Sequence, residues 1–118
     1  MKRVLLVDDD RELSELLAAQ LTRGGYAVCF ADSLLSAMTG ASEEAPFDVL
    51  VTDLYLPDAD GAAIAEALGV PIKLALTGSG APADAERLLA AGFAEVLVKP
   101  VSGPKLLDAI SRSLKTAK

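Results

Sequence analysis

Asp8, Asp9, Asp53, Thr77 and Lys99 each lie at the close of a short apolar run or just after one. The runs are Val4 to Val7, Val49 to Thr52, Ile72 to Leu76 and Val96 to Val98. Three carboxylates offer hard oxygen ligands for a divalent cation. A hydroxyl and an ammonium could then bond and balance a phosphoryl group. The five can act together only if the fold brings them to one place. In an open parallel α/β sheet the carboxyl ends of the strands share one edge, and ligands bind in the crevice there. The chemistry therefore requires each apolar run to be a strand of such a sheet.

The rest of the pattern supplies that sheet, because apolar runs alternate with segments of helical period, as in βαβ units. Strands are predicted at about Arg3 to Val7, Tyr26 to Ala31, Val49 to Asp53, Ile72 to Leu76 and Glu95 to Val98. A first helix carries Leu13, Leu16, Leu17 and Leu21 on one face and stops at Gly24-Gly25. A second begins at Ser33 as N-cap and runs to about Glu43, with Gly40 weakening its second half. A third is short, near Ala62 to Leu68, and Pro71 closes its exit. A fourth spans Ala83 to Ala91, with Ala85, Leu88, Leu89 and Gly92 on one face. The last follows Ser102 and packs Leu106, Leu107, Ile110 and Leu114 inward. The expected fold is α/β: a doubly wound five-stranded parallel sheet with five helices, of flavodoxin-like order 2-1-3-4-5 with right-handed crossovers.

Composition narrows the function. A chain of 118 residues, 52% of them hydrophobic, fits a single domain over residues 1–118, with no linker, repeat or low-complexity stretch. The net charge of −6 argues against direct binding to nucleic acid, which calls for clustered Lys and Arg. No apolar run approaches the roughly 20 residues that span a bilayer. Met1-Lys2-Arg3 leads into a strand rather than a signal peptide, so membrane insertion is not expected and a cytoplasmic location is. The single cysteine, Cys29, lies in an apolar run and reads as a small buried thiol. The chain has no histidine. That excludes Ser–His–Asp and Cys–His catalysis, a histidine metal site, and any phosphohistidine of its own.

Each candidate also has an ordinary explanation. One aspartate of Asp8-Asp9-Asp10 suffices to cap a helix, and Asp10 is placed for it. Capping leaves two further carboxylates, and two like charges about 4 Å apart repel by about 4 kcal/mol at an effective dielectric of 20. A hard cation, Mg²⁺ above all, offsets that repulsion. Asp53 could be a turn former, but a carboxylate can also be a nucleophile that becomes an aspartyl phosphate. Thr77 could be a plain strand end, although Gly78-Ser79-Gly80 permits close approach of backbone to a ligand. It does not open a P-loop, which needs a Lys-Ser/Thr pair at fixed spacing. Lys99 could be a solvated strand-end lysine. The specificity lies in their order and positions together.

With these motifs in place, the sequence resembles the receiver domains of two-component response regulators, and is similar in size to the chemotaxis-type single-domain regulators. The resemblance covers the whole chain. It rests on Val7-Asp8-Asp9-Asp10, Asp53-Leu54-Tyr55-Leu56-Pro57, Leu76-Thr77-Gly78 and Val98-Lys99-Pro100. It implies that Asp53 accepts a phosphoryl group from the phosphohistidine of a partner histidine kinase or histidine phosphotransfer protein. It further implies Mg²⁺ held by Asp8, Asp9, Asp53 and the backbone carbonyl of Tyr55. Thr77 and Lys99 would contact the phosphoryl group, the Lys99–Pro100 bond would be cis, and a downstream protein would read the change on a surface of the fourth helix, fifth strand and fifth helix. Only self-phosphorylation and autodephosphorylation chemistry is expected, not an enzyme's turnover. Tyr55 and Ser79 occupy positions that tune phosphoryl lifetime in the family.

Three departures from the family stand out. Val96 occupies the position of its aromatic switch, Val101 stands where Phe is common, and the stretch from Asp53 to Thr77 is short, so the third helix must lose more than a turn. Two alternatives remain at this point: a phosphorylation-independent binding module with the same fold, or a detached receiver of a hybrid kinase or DNA-binding regulator. A Mg²⁺ hydrolase of the aspartyl-phosphate type is a distant third, since Tyr55 stands where a second aspartate would be needed.

Overall fold

The computed structural model describes residues 1–44, 46–78 and 80–116. Within them the elements alternate as β1 (Arg3–Val7), α1 (Arg11–Arg23), β2 (Ala27–Ala31), α2 (Leu34–Glu44), β3 (Val49–Asp53), α3 (Gly61–Leu68), β4 (Ile72–Thr77), α4 (Pro82–Ala90), β5 (Glu95–Val98) and α5 (Gly103–Thr116). All strand pairs are parallel, in the order β2-β1-β3-β4-β5. This is the expected doubly wound, flavodoxin-like sheet.

Side chains alternate across a strand, so each central strand feeds two cores. Val4 and Leu6 of β1, Val49 and Val51 of β3, and Leu74 and Leu76 of β4 pack with Leu17 and Leu21 of α1 and Leu106, Ala109 and Ile110 of α5. Leu5, Val7, Leu50 and Ala75 face the other way, toward Ala37 of α2, Ile64 and Ala65 of α3, and Leu88 of α4. The central strands read as continuous apolar runs because both faces are covered.

Helix termini follow the local chemistry. Asp10 caps α1, its side chain accepting from the Leu13 amide at 3.1 Å. Ser102 does the same for α5 through the Lys105 amide at 3.3 Å. Asp60 caps α3 through Ala63, and Gly69 closes that eight-residue helix with φ 62°, a left-handed conformation that glycine adopts without a Cβ penalty. Gly103 lets α1 and α5 approach closely. A Cβ there would meet the end of the Gln20 side chain, which would have to turn aside.

Exposure corrects the sequence reading at the periphery. Leu16, assigned to the inward face of α1, is 55% exposed, and Leu89, assigned to that of α4, is 49% exposed. Cys29 is half-buried rather than buried, and Phe30 beside it is exposed. For Cys29 and Phe30 the cause is β2 being an edge strand, so the helices beside it cover it incompletely. Within α1, therefore, Leu17→Ala is expected to lower stability by about 2–5 kcal/mol, the range for an emptied core site. Leu16→Ala should stay within about 0.5 kcal/mol of the parent, as for surface positions. Denaturant unfolding of both variants checks the assignment.

Candidate functional site

The site is built from the carboxyl ends of β1, β3, β4 and β5. Val7 pairs with Thr52, Asp53 with Leu76, and Thr77 with Val98, which brings the four strand ends level. Beyond β1 the Asp8 amide still donates to the Ala31 carbonyl at 3.0 Å, fixing its backbone to β2. The Asp8 side chain is 1% exposed, and its Oδ1 accepts from the Asp10 amide at 2.9 Å. The three consecutive aspartates thus divide: Asp10 caps α1, Asp8 turns inward, and Asp9 is exposed. Asp53 ends β3, with Oδ1 accepting from the Tyr55 amide at 3.4 Å and Oδ2 accepting from Lys99 Nζ at 2.8 Å.

Lys99 joins the four strand ends. Its amide donates to the Thr77 carbonyl at 2.7 Å. Its ammonium lies 2.8 Å from Asp53 Oδ2 and 2.9 Å from Asp8 Oδ2, the latter an ion pair rather than an aligned hydrogen bond. The Lys99–Pro100 bond is cis. Burial pushes the Lys99 ammonium down, but the hydrogen bond to Asp53 and the attraction of both Asp8 and Asp53 outweigh it and hold the group above its ordinary 10.5.

Asp8, Asp9 and Asp53 each place a carboxylate oxygen within 4.8 Å of the others. One ammonium does not balance three carboxylates. The remaining negative charge and the all-oxygen donor set fit a hard divalent cation. Thr77 is buried at the end of β4. Tyr55 turns its amide toward Asp53 while its side chain is 73% exposed. Ser79 lies outside the described residues. Val96 is half-buried among residues of the α2–α3–α4 face, and Val101 is buried on the opposite one.

One residue carries a role that sequence reasoning missed. Asp58, in the polar stretch Asp58-Ala59-Asp60-Gly61, reaches across to α2, where Oδ1 accepts from the Leu34 amide at 2.8 Å and Oδ2 from the Leu35 amide at 3.1 Å. Those amides hold its carboxyl below the usual 3.8. No local signal marks a cap supplied from 23 and 24 residues away.

A doubly wound sheet with an acidic cluster and a lysine at its carboxyl edge is the arrangement of the response regulator receiver domain. The chain matches the model of that family over residues 4–111 and belongs to it. It is 34% identical over 102 residues to the response regulator receiver protein CpdR of Brucella abortus, covering 86% of this chain and 76% of CpdR. It is 33% identical over 122 residues to the transcriptional regulatory protein CusR of Escherichia coli, covering 96% of this chain. The chain spans 51% of CusR and 24% of FleR of Pseudomonas aeruginosa, a further relative. Among solved structures, the non-phosphorylated receiver domain of HemR from Leptospira biflexa superposes with a TM-score of 0.87 at 30% identity, covering 100% of this chain and 98% of that one. The chemotaxis response regulator CheY4 of Vibrio cholerae does so with 0.85 at 28%, covering 96% and 98%. Domains of this family are signalling modules of two-component systems rather than conventional enzymes.

Removing the ammonium leaves Asp8 buried without its cation. Lys99→Met is expected to lower stability by up to about 3 kcal/mol, the low end for breaking a buried pair because the lysine is still partly exposed. The pH dependence follows from the raised lysine value. The contribution is complete below the ordinary 10.5 and is lost as pH rises through the raised folded value. The gap between wild type and variant in denaturant unfolding should therefore be constant from neutral to mildly alkaline pH and should narrow above 10.5.

Proposed function

We propose that this chain works in the cytoplasm and that Asp53 is the phosphoacceptor of a two-component phosphorelay, loaded by a histidine kinase or histidine phosphotransfer protein. The observation that carries this reading is the Lys99 ammonium 2.8 Å from Asp53 and 2.9 Å from Asp8, inside a cluster of three carboxylates. An Asp53 oxygen attacks the donor's phosphorus. The new O–P bond forms as the P–N bond to the donor imidazole breaks, and the imidazole leaves with the electron pair. Lys99 then moves its charge onto the phosphoryl oxygens, Thr77 donates its hydroxyl to one of them, and water later hydrolyses the acyl phosphate slowly, returning the carboxylate and inorganic phosphate. Asp8, Asp9, Asp53 and the Tyr55 carbonyl would hold Mg²⁺, which when bound neutralises charge on the transferring group. Acetyl phosphate with Mg²⁺ should add one phosphoryl group to wild type and none to Asp53→Asn, as read by intact mass. Labelling of that variant to the wild-type level would remove Asp53 from its role. Asp9→Ala should lose most of the Mg²⁺ affinity measured by calorimetry.

The output reaches a protein target rather than nucleic acid, consistent with the acidic charge of −6. Its route differs from that of relatives with an aromatic at position 96. Val96 is β-branched and stiff, so it cannot swing between buried and exposed positions. The loop from Gly78 to Pro82 is the alternative conduit into the α4–β5–α5 surface. A Cβ at Gly78 or Gly80 would meet nothing within 4 Å, and α4 begins at Pro82 without a side-chain cap. With a beryllofluoride phosphoryl mimic and Mg²⁺, large amide shift changes are expected at residues 78–84. Changes confined to the neighbours of Asp53 would leave that surface inert.

A further inference from the structure

The first turn of α2 is satisfied by two sources. Its N-cap is Ser33, whose carbonyl accepts from the Ala37 amide at 3.0 Å and whose hydroxyl accepts from the Ser36 amide at 3.1 Å. An N-cap side chain reaches only so far, and the first helical amides, Leu34 and Leu35, remain unserved by it. Asp58 takes both, one on each carboxylate oxygen. The Ser36 hydroxyl meanwhile accepts from the Asp32 and Ser33 amides and closes the preceding turn. Every amide from Asp32 to Ala37 named here has a partner, and only those of Leu34 and Leu35 depend on a distant segment.

That segment is the loop leaving the site. It runs from Asp53 through Tyr55 to Asp60, tightened by the Leu56 amide donating to the Ala59 carbonyl at 3.0 Å and by an isolated bridge between Tyr55 and Asp60. Asp58 lies inside that closed turn. Any ordering of Tyr55 by ligands at Asp53 therefore restricts Asp58 as well. From this geometry we infer that Asp58 is a positioning residue, coupling the state of Asp53 to the first turn of α2 through its clasp on the Leu34 and Leu35 amides. The inference rests on the phosphoacceptor reading of Asp53.

The sign follows from the ordering. A loop tied down at residues 53–55 loses less freedom when Asp58 engages α2, so the clasp tightens when the site is filled. Coupling free energies are reciprocal. The factor by which the filled site strengthens the clasp is then the factor by which the clasp strengthens filling of the site. The Ser33 cap is local and is retained when Asp58 is replaced, so the helix keeps its start.

Amide hydrogen exchange in wild type, Asp58→Ala and Asp58→Asn, with and without beryllofluoride and Mg²⁺, tests the coupling. In wild type the mimic should slow exchange at Leu34 and Leu35 by about fivefold or more, the lower end of usual couplings. In Asp58→Ala both amides should exchange fast and ignore the mimic, whose affinity should fall by the same factor. Asp58→Asn keeps an acceptor oxygen and should restore part of both effects. An unresponsive pair of amides in wild type, or an alanine variant that binds the mimic as wild type does, overturns the coupling. The amide shifts of Asp53 and Thr77 separate the two levels. If they do not move with the mimic, the phosphoacceptor reading fails first, and the coupling with it.

Discussion

Two carboxylates and one ammonium, drawn from three strands of which only β1 and β3 are neighbours, hold the functional edge together. Lys99 comes from the end of β5, and Asp8 from the end of β1, on the far side of β3 and β4. Without the cation, a side chain that is 1% exposed would carry an uncompensated charge. With it, the third carboxylate, Asp9, remains unmatched on the exposed side. The pocket is thus stable enough to fold and still electrostatically incomplete, which suits a site that exchanges charged ligands. A fully neutralised cluster would fold more easily and bind less.

The sheet makes this economical in residues. Parallel pairing aligns four strand ends, so the functional groups need only be the residues that end strands or follow them. The helices contribute elsewhere. α1 and α5 seal one face, and α2, α3 and α4 the other, with apolar side chains chosen by strand alternation. Stability and chemistry are therefore separated in space. The core lies along the strands, while the charged groups lie beyond their ends, where loops can differ between relatives without disturbing the packing.

Much of this is legible in the sequence. Strand runs bounded by turn residues placed β1, β3 and β5 at their observed limits, and Asp8, Asp9, Asp53 and Lys99 were expected together because a parallel sheet leaves no other common place for strand ends. Periodicity was less reliable at the rim. It assigned Leu16 and Leu89 to inward faces because a helix repeats its apolar residues every three or four positions whether or not a strand lies beneath them. Cys29 was misjudged for the same reason, since a run of apolar residues does not reveal whether its strand is central or at an edge. Asp58 could not be read at all. An aspartate before Ala59-Asp60-Gly61 looks like any turn residue, and its acceptors' partners belong to a helix formed much earlier in the chain.

Lys99 has two attachments of different kinds, and they imply different speeds. Its amide belongs to the hydrogen-bonded junction with Thr77, while its ammonium hangs on a flexible four-carbon stem. Side chains with some exposure change rotamer in picoseconds to nanoseconds, whereas loops rearrange over nanoseconds to microseconds. Were an anion to bind at Asp53, as proposed, the charge distribution would relax long before the backbone. The electrostatic event and any change of shape would then be successive, with the slower loops rather than the lysine setting the pace.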